Sequence, residues 1–240
     1  MSQFSRIPLI DLARTAALLG MVAFHFSYDL LMFGLIPRDY AASDIFYFHA
    51  RIVAGSFLLL AGLGLWLAHG QGIRWPGFWR RFAKIAGAAV LVTVATKVAM
   101  PEFYIYFGIL HAIALYSLLG LAVLRLPAPV TALIAAGFIA GSFYWAGPEF
   151  DAPLLKFLGL STLPAQTMDF EPLFPWFGAV LLGIALGQLG SKIGLWARLS
   201  GSPSGEWVNR LSWPGRHSLV IYLIHQPILM GLVWAYSQLN

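Results

Sequence analysis

The sequence predicts an all-α fold: a polytopic integral membrane helix bundle of about seven transmembrane helices. Three observations carry this. Hydrophobic residues make up 59% of the chain and charged residues only 10%, where a soluble domain carries about a quarter charged. Mean hydropathy is +0.76. The apolar residues fall into long runs separated by gaps that Pro and Gly punctuate. At ~20 apolar residues per crossing, residues 1–240 read as a single transmembrane domain.

Seven apolar runs stand out. The first, 8–33, carries internal charges and lacks a small-residue cleavage site, which separates it from a signal peptide. The second, 45–68, follows the turn at Pro37. The third, 82–100, lies between Pro76-Gly77 and Pro101. The fourth, 105–124, stops before Pro127, and the fifth, 129–146, before Gly147-Pro148. A loop at 147–172 leads to the sixth run, 173–190, and a loop at 191–216 to the seventh, 217–237. There is no internal repeat, low-complexity tract or separate soluble domain.

Orientation follows from the loop cations. Arg6, the group Arg74, Arg80, Arg81 and Lys84, then Arg125, and finally Lys192, Arg198, Arg210 and Arg216 alternate with gaps that hold only Arg38 and Lys156 beside seven acids. The N-terminus is therefore expected in the cytoplasm and the C-terminus on the periplasmic side of a bacterial inner membrane.

Several function classes drop out. With no cysteine there is no thiol catalysis and no disulfide. The net charge of +5 is dispersed, with no basic run to bind nucleic acid. Phosphate-loop, dinucleotide, HExxH and GxSxG patterns are missing.

What remains are ionisable residues inside apolar runs, which are costly and usually functional. Asp11, Arg14, His25 and Asp29 lie in the first run. At ~100° per residue they share one stripe about 60° wide and ~27 Å long, which must face protein or a hydrated cavity. Asp11 and Arg14 have the spacing of an ion pair one turn apart. Asp29 follows His25 by four residues, a spacing that would suit a metal or, more simply, an Asp that orients the imidazole; no metal site is expected. His49, His111 and His225 sit at depths that suggest a polar cavity with His25 and His225 at its floor. Lys97 is expected to snorkel.

Three stretches carry a family resemblance. One runs from Arg6 to Asp29 through Asp11, Arg14 and His25. The second is Phe107-Gly108-Ile109-Leu110-His111-Ala112-Ile113. The third runs from Gly215 to Pro227 through Tyr222 and His225. Together they resemble the catalytic domain of heparan-α-glucosaminide N-acetyltransferases, in its bacterial branch often labelled a domain of unknown function. The opening also resembles membrane acyltransferase-3 proteins, which carry an Asp-x-x-Arg pair and a histidine about three turns later. The resemblance implies transfer of an acetyl or acyl group from cytoplasmic acetyl-CoA to an amine or hydroxyl of a glycan or amino-sugar acceptor across the membrane. The lysosomal enzyme has a histidine in the loop after its first catalytic-domain helix, whereas residues 34–44 here have none. His25 is then expected as general base, with His49 as fallback, His225 stabilising the oxyanion or orienting the acceptor, and Asp29 beside them. Arg14, Asp11, Arg80, Arg81 and His111 are expected on the cofactor side, the arginines on its phosphates; Arg80 and Arg81 serve topology equally well. Membrane lipids, acyl-CoA and the acceptor are the expected partners, and a homodimer is compatible with the sequence. A small transporter using the same Asp/Arg/His pathway is the rival reading; it would be favoured by inverted repeats, and none are present.

Overall fold

The computed structural model describes residues 6–201 and 205–239, and a helix stands at each of the seven predicted runs. The long helices are α1 (Pro8–Met32), α2 (Asp44–His69), α3 (Trp75–Ala99), α4 (Ile109–Val123), α5 (Ala128–Tyr144) and α6 (Leu173–Lys192). Three short helices, α7 (Leu195–Gly201), α8 (Glu206–Leu211) and α9 (Trp213–Arg216), precede the last long one, α10 (Ser218–Ser237). α1, α2, α3, α6 and α10 are each long and apolar enough to cross a membrane. α4 and α5 are apolar but have only 15 and 17 residues, or roughly 22–26 Å at 1.5 Å per residue. The protein is an all-α membrane helix bundle.

Three boundaries differ from the sequence expectation, each for a local reason. α3 starts at Trp75, not 82, because Pro76 falls in its first turn, where the missing N–H costs nothing. α4 starts at Ile109, not 105. Residues before it run extended, with Phe107 bridged to Phe170 and Glu171 N donating to the Phe107 carbonyl. The loop 191–216 is not plain loop but carries α7, α8 and α9.

The chain divides into two compact units, with boundaries inside α2 and α7. Residues 58–198 form one unit. Here α2 and α6 meet through glycines: a Cβ on Gly62 would overlap the Val180 carbonyl, and one on Gly183 the Leu59 carbonyl. α6 also packs on α5 through Gly178, against Ala135 and Ile139, and on α4 through Ile184, which a Cβ on Gly120 would meet. Tyr116 of α4 is fully buried and donates to the Glu171 carbonyl at 2.7 Å. Gln188 donates to the Leu126 carbonyl at 2.7 Å, serving a carbonyl just past the end of α4. These are the small-residue contacts and local hydrogen bonds that hold helices together where lipid supplies no hydrophobic drive.

The other unit comprises residues 6–57 and 199–239. α1 is its axis, packed against α8, α9, α10 and the 3-10 turn Arg38–Ala42. Its amphipathicity is inverted: Asp11 and Asp29 are buried, while Leu19 is 66% and Phe26 46% exposed. The polar stripe faces protein, as its alignment predicts. α9 approaches so closely that a Cβ on Gly215 would overlap the Asp11 carbonyl. Thr15 reinforces this contact. Its hydroxyl accepts from Gly215 N at 3.0 Å and lies 2.9 Å from the Leu211 carbonyl, to which it donates.

Candidate active site

The second unit holds two polar clusters along α1. The first is centred on Asp11, whose side chain is 3% exposed. Its Oδ2 accepts from Arg6 Nε at 2.6 Å, and its Oδ1 from Arg14 at 2.8 Å. Arg216 Nε lies 3.7 Å from Oδ2, an ion pair without a hydrogen bond. Three guanidinium groups thus converge on one carboxylate, leaving excess positive charge. The sequence points to Asp11 and Arg14 but to Arg6 and Arg216 only for orientation: Arg6 lies ahead of α1, outside its helical periodicity, and nothing in a linear run says that α9 brings Arg216 back to the start of α1.

The second cluster lies about four turns further along α1. The ring centroids of His25 and His225 are 4.9 Å apart, at an interplanar angle of 63°. His225 Nδ1 lies 2.6 Å from the Tyr222 carbonyl. A carbonyl only accepts, so Nδ1 carries the hydrogen and the neutral ring keeps its lone pair on Nε2. That Nε2 is buried with no partner. His25 has Phe24 edge-on at 5.5 Å on its other side. Asp29, one turn past His25, is fully buried; its Oδ1 accepts from Gln226 Nε2 at 2.7 Å. Asp29 Oδ2 and Gln226 Oε1 have no partner. Gln226 was missed as a site residue although it lies inside the motif run. The available signal was an amide beside a histidine in an apolar helix.

His49 is half-buried in the same unit. Its Nε2 donates to the Gly20 carbonyl at 2.9 Å, and its ring stands edge-on to Phe24 at 5.6 Å. That bond ties α2 to α1 and leaves Nδ1 as its other ring nitrogen.

The remaining candidates belong to residues 58–198. His111 Nδ1 accepts from Gly108 N at 3.3 Å, so its Nε2 donates to the Thr93 hydroxyl at 3.0 Å, which in turn donates to the Ile105 carbonyl. Both ring nitrogens are engaged at the start of α4, where Asp169 also accepts from Ile109 N at 2.9 Å. Arg80 and Arg81 are exposed near the start of α3, and Arg81 borders a shallow hollow with Phe78, Phe82 and Ser117. Lys97 is exposed, its ammonium 5.4 Å from the Tyr104 ring centre. No group of three His, Cys, Asp or Glu side chains suited to a metal occurs among the described residues.

The family model described as "Heparan-alpha-glucosaminide N-acetyltransferase, catalytic" matches residues 6–227. No curated protein and no solved structure matches the chain. The chain belongs to that family, which implies a membrane acetyltransferase-like function.

Proposed function

We propose that this family member transfers an acetyl group from cytoplasmic acetyl-CoA to an amine or hydroxyl acceptor, a glycan or amino sugar, at the far side of a bacterial inner membrane. The observation that supports it best is His225: Nδ1 tied to a backbone carbonyl, Nε2 bare and buried, and His25 against its ring. That is the arrangement of a neutral base with a fixed tautomer. The sequence reading put the base at His25; the hydrogen bond to Tyr222 favours His225.

The chemistry follows from these positions. Arg14, Arg6 and Arg216 attract the donor's phosphates, and Asp11 holds them in place. Arg14 and His25 are eleven residues apart, about 16 Å along α1, a span that an extended pantetheine arm covers. His225 Nε2 takes a proton from the acceptor as its nitrogen or oxygen attacks the thioester carbon. The new C–N or C–O bond forms, the C–S bond breaks, and the proton passes to the CoA thiolate. His25 donates to the carbonyl oxygen as it gains charge. His49 and His111 are left as fastenings of their helices.

The test is single-turnover transfer from labelled acetyl-CoA by the purified chain. His225→Gln should slow transfer by about 10²-fold or more while acetyl-CoA still binds, and His25→Gln should slow it less. If both variants run at the wild-type rate, the histidine pair is structural and the site lies elsewhere.

A further inference from the structure

α3 starts at Trp75, ahead of the apolar run that begins at 82. Its 25 residues rise about 37 Å at 1.5 Å per residue, against a hydrocarbon core of about 30 Å. The apolar part fills the core, so residues 75–81 stand at its polar boundary. There Trp75 and Trp79, one turn apart, stack with ring centroids 6.3 Å apart, and each is 49% exposed. Arg80, Arg81 and Lys84 follow, all exposed.

The buried face of α3 carries Phe78 and Ile85. At ~100° per residue, Arg80 and Lys84 lie roughly 140° and 100° round from Ile85 on one flank, and about 6 Å apart along the axis. Trp79 lies roughly 120° round on the other flank. No Asp or Glu stands between Asp44 and Glu102 in the sequence. The ion pairs among the described residues involve neither Arg80 nor Lys84. Two cations without counter-charges thus share the outward side of α3 with two indole rings, at the depth of the lipid phosphates.

We propose that Arg80 and Lys84, beside Trp75 and Trp79, form a site for the headgroup of an anionic phospholipid. The cations are one turn apart and close on one phosphate, the guanidinium through paired hydrogen bonds and the ammonium as a point charge. The indoles are apolar at one end and polar at the other, and they fix the depth of the helix at the headgroup level. Selectivity comes from charge. A zwitterionic lipid brings its own cation to its phosphate, and an anionic one such as phosphatidylglycerol does not. Each protein cation near an anionic surface is worth about fivefold in affinity. The occupant is a lipid rather than a soluble phosphate because the helix face beyond the cations is apolar and uncovered. Val90, Leu91 and Val94 on that face are each more than half exposed, and acyl chains lie along them.

Native mass spectrometry of the delipidated full chain in detergent, titrated with phosphatidylglycerol and phosphatidylcholine, reads the affinities. Phosphatidylglycerol should bind at least about tenfold more tightly. Arg80→Gln with Lys84→Gln should remove that preference. Either change alone should weaken phosphatidylglycerol about fivefold, so the test survives if the double variant does not fold. Arg125→Gln with Lys192→Gln removes the same charge from other exposed positions and should leave the preference intact. Equal losses in the two double variants would mean that net charge alone attracts the lipid, and the site would fall. Equal binding of the two lipids by the unaltered chain would overturn it as well. Glycerol phosphate carries the charge without the chains and should not displace phosphatidylglycerol at equal concentration. Displacement would give the cations to a soluble phosphate, as would lost acetyl-CoA affinity with lipid binding retained in the Arg80 and Lys84 double variant.

Discussion

Asp11 is where a short motif becomes architecture. Its spacing from Arg14 predicts a local pair, and that pair forms at 2.8 Å. The same carboxylate also takes Arg6 and faces Arg216, so it fastens the start of α1 to α9. Asp11→Asn keeps the shape but loses the charge. It should lower stability by about 1–3 kcal/mol, toward the smaller figure because the Arg6 side chain is 58% exposed and well screened. Thermal unfolding of the detergent-purified chain checks this, and an unchanged midpoint would show that the Asp11 charge adds no net stability to the start of α1. The stripe of Asp11, Arg14, His25 and Asp29 was legible because helical periodicity is local. Gln226 and Arg216 were not, because their roles depend on which helix packs against α1, and Arg6 was not, because it precedes α1 and lies outside its helical periodicity.

The helices record a different kind of information. Glycine pairs set the approach of α2 and α6, and a Cβ on Gly62 or Gly183 would enter a facing backbone carbonyl. Gly62→Ala or Gly183→Ala should cost about 1–3 kcal/mol through overpacking. Gly77→Ala and Gly87→Ala on α3, where a Cβ meets nothing within 4 Å, should be neutral or stabilising by up to about 1 kcal/mol. Equal losses at all four positions would mean that helix contact is not what these glycines serve. Loop 147–172 is tied by Asp151, which accepts from the Ser161 and Thr162 hydroxyls and from Thr162 N. Those bonds, Ser161 first, hold its carboxyl below the usual aspartate range. Their stabilisation is present above the ordinary value of about 3.9 and is lost as pH falls through the lowered folded value. Protection of the Thr162 amide against hydrogen exchange should therefore persist at pH 5 and fade under strong acid, and Asp151→Asn should weaken it at pH 5 and change little under strong acid. Helix existence was read correctly from the apolar runs. Helix starts were not, since Pro76 resembles a breaker until its place in the first turn is known, and the start of α4 is set by Asp169, 60 residues on, which accepts from Ile109 N.

For the whole molecule, the order of apolar helices followed from hydropathy alone, because each run must hide its backbone from lipid by itself. Their sidedness rests on a separate regularity, the alternation of basic and acidic gaps. The short α4 and α5 sharpen the question. Seven crossings and five crossings are both odd, so either arrangement puts Gln238 opposite Arg6. The turn at Arg125 separates them. If α4 and α5 cross, Arg125 lies in the cytoplasm with Gln71; if they form a re-entrant pair, it is buried at membrane depth. The chain has no cysteine, so single cysteines placed at the exposed positions Gln71, Arg125, Glu149 and Gln238 report without background. A membrane-impermeant maleimide applied to intact spheroplasts should label Glu149→Cys and Gln238→Cys. Gln71→Cys and Arg125→Cys should react only after permeabilisation. An Arg125→Cys that stays unlabelled under both conditions would reduce the crossings to five. Labelling of Gln71→Cys from outside would invert the protein, and with it the entry of acetyl-CoA from the cytoplasm.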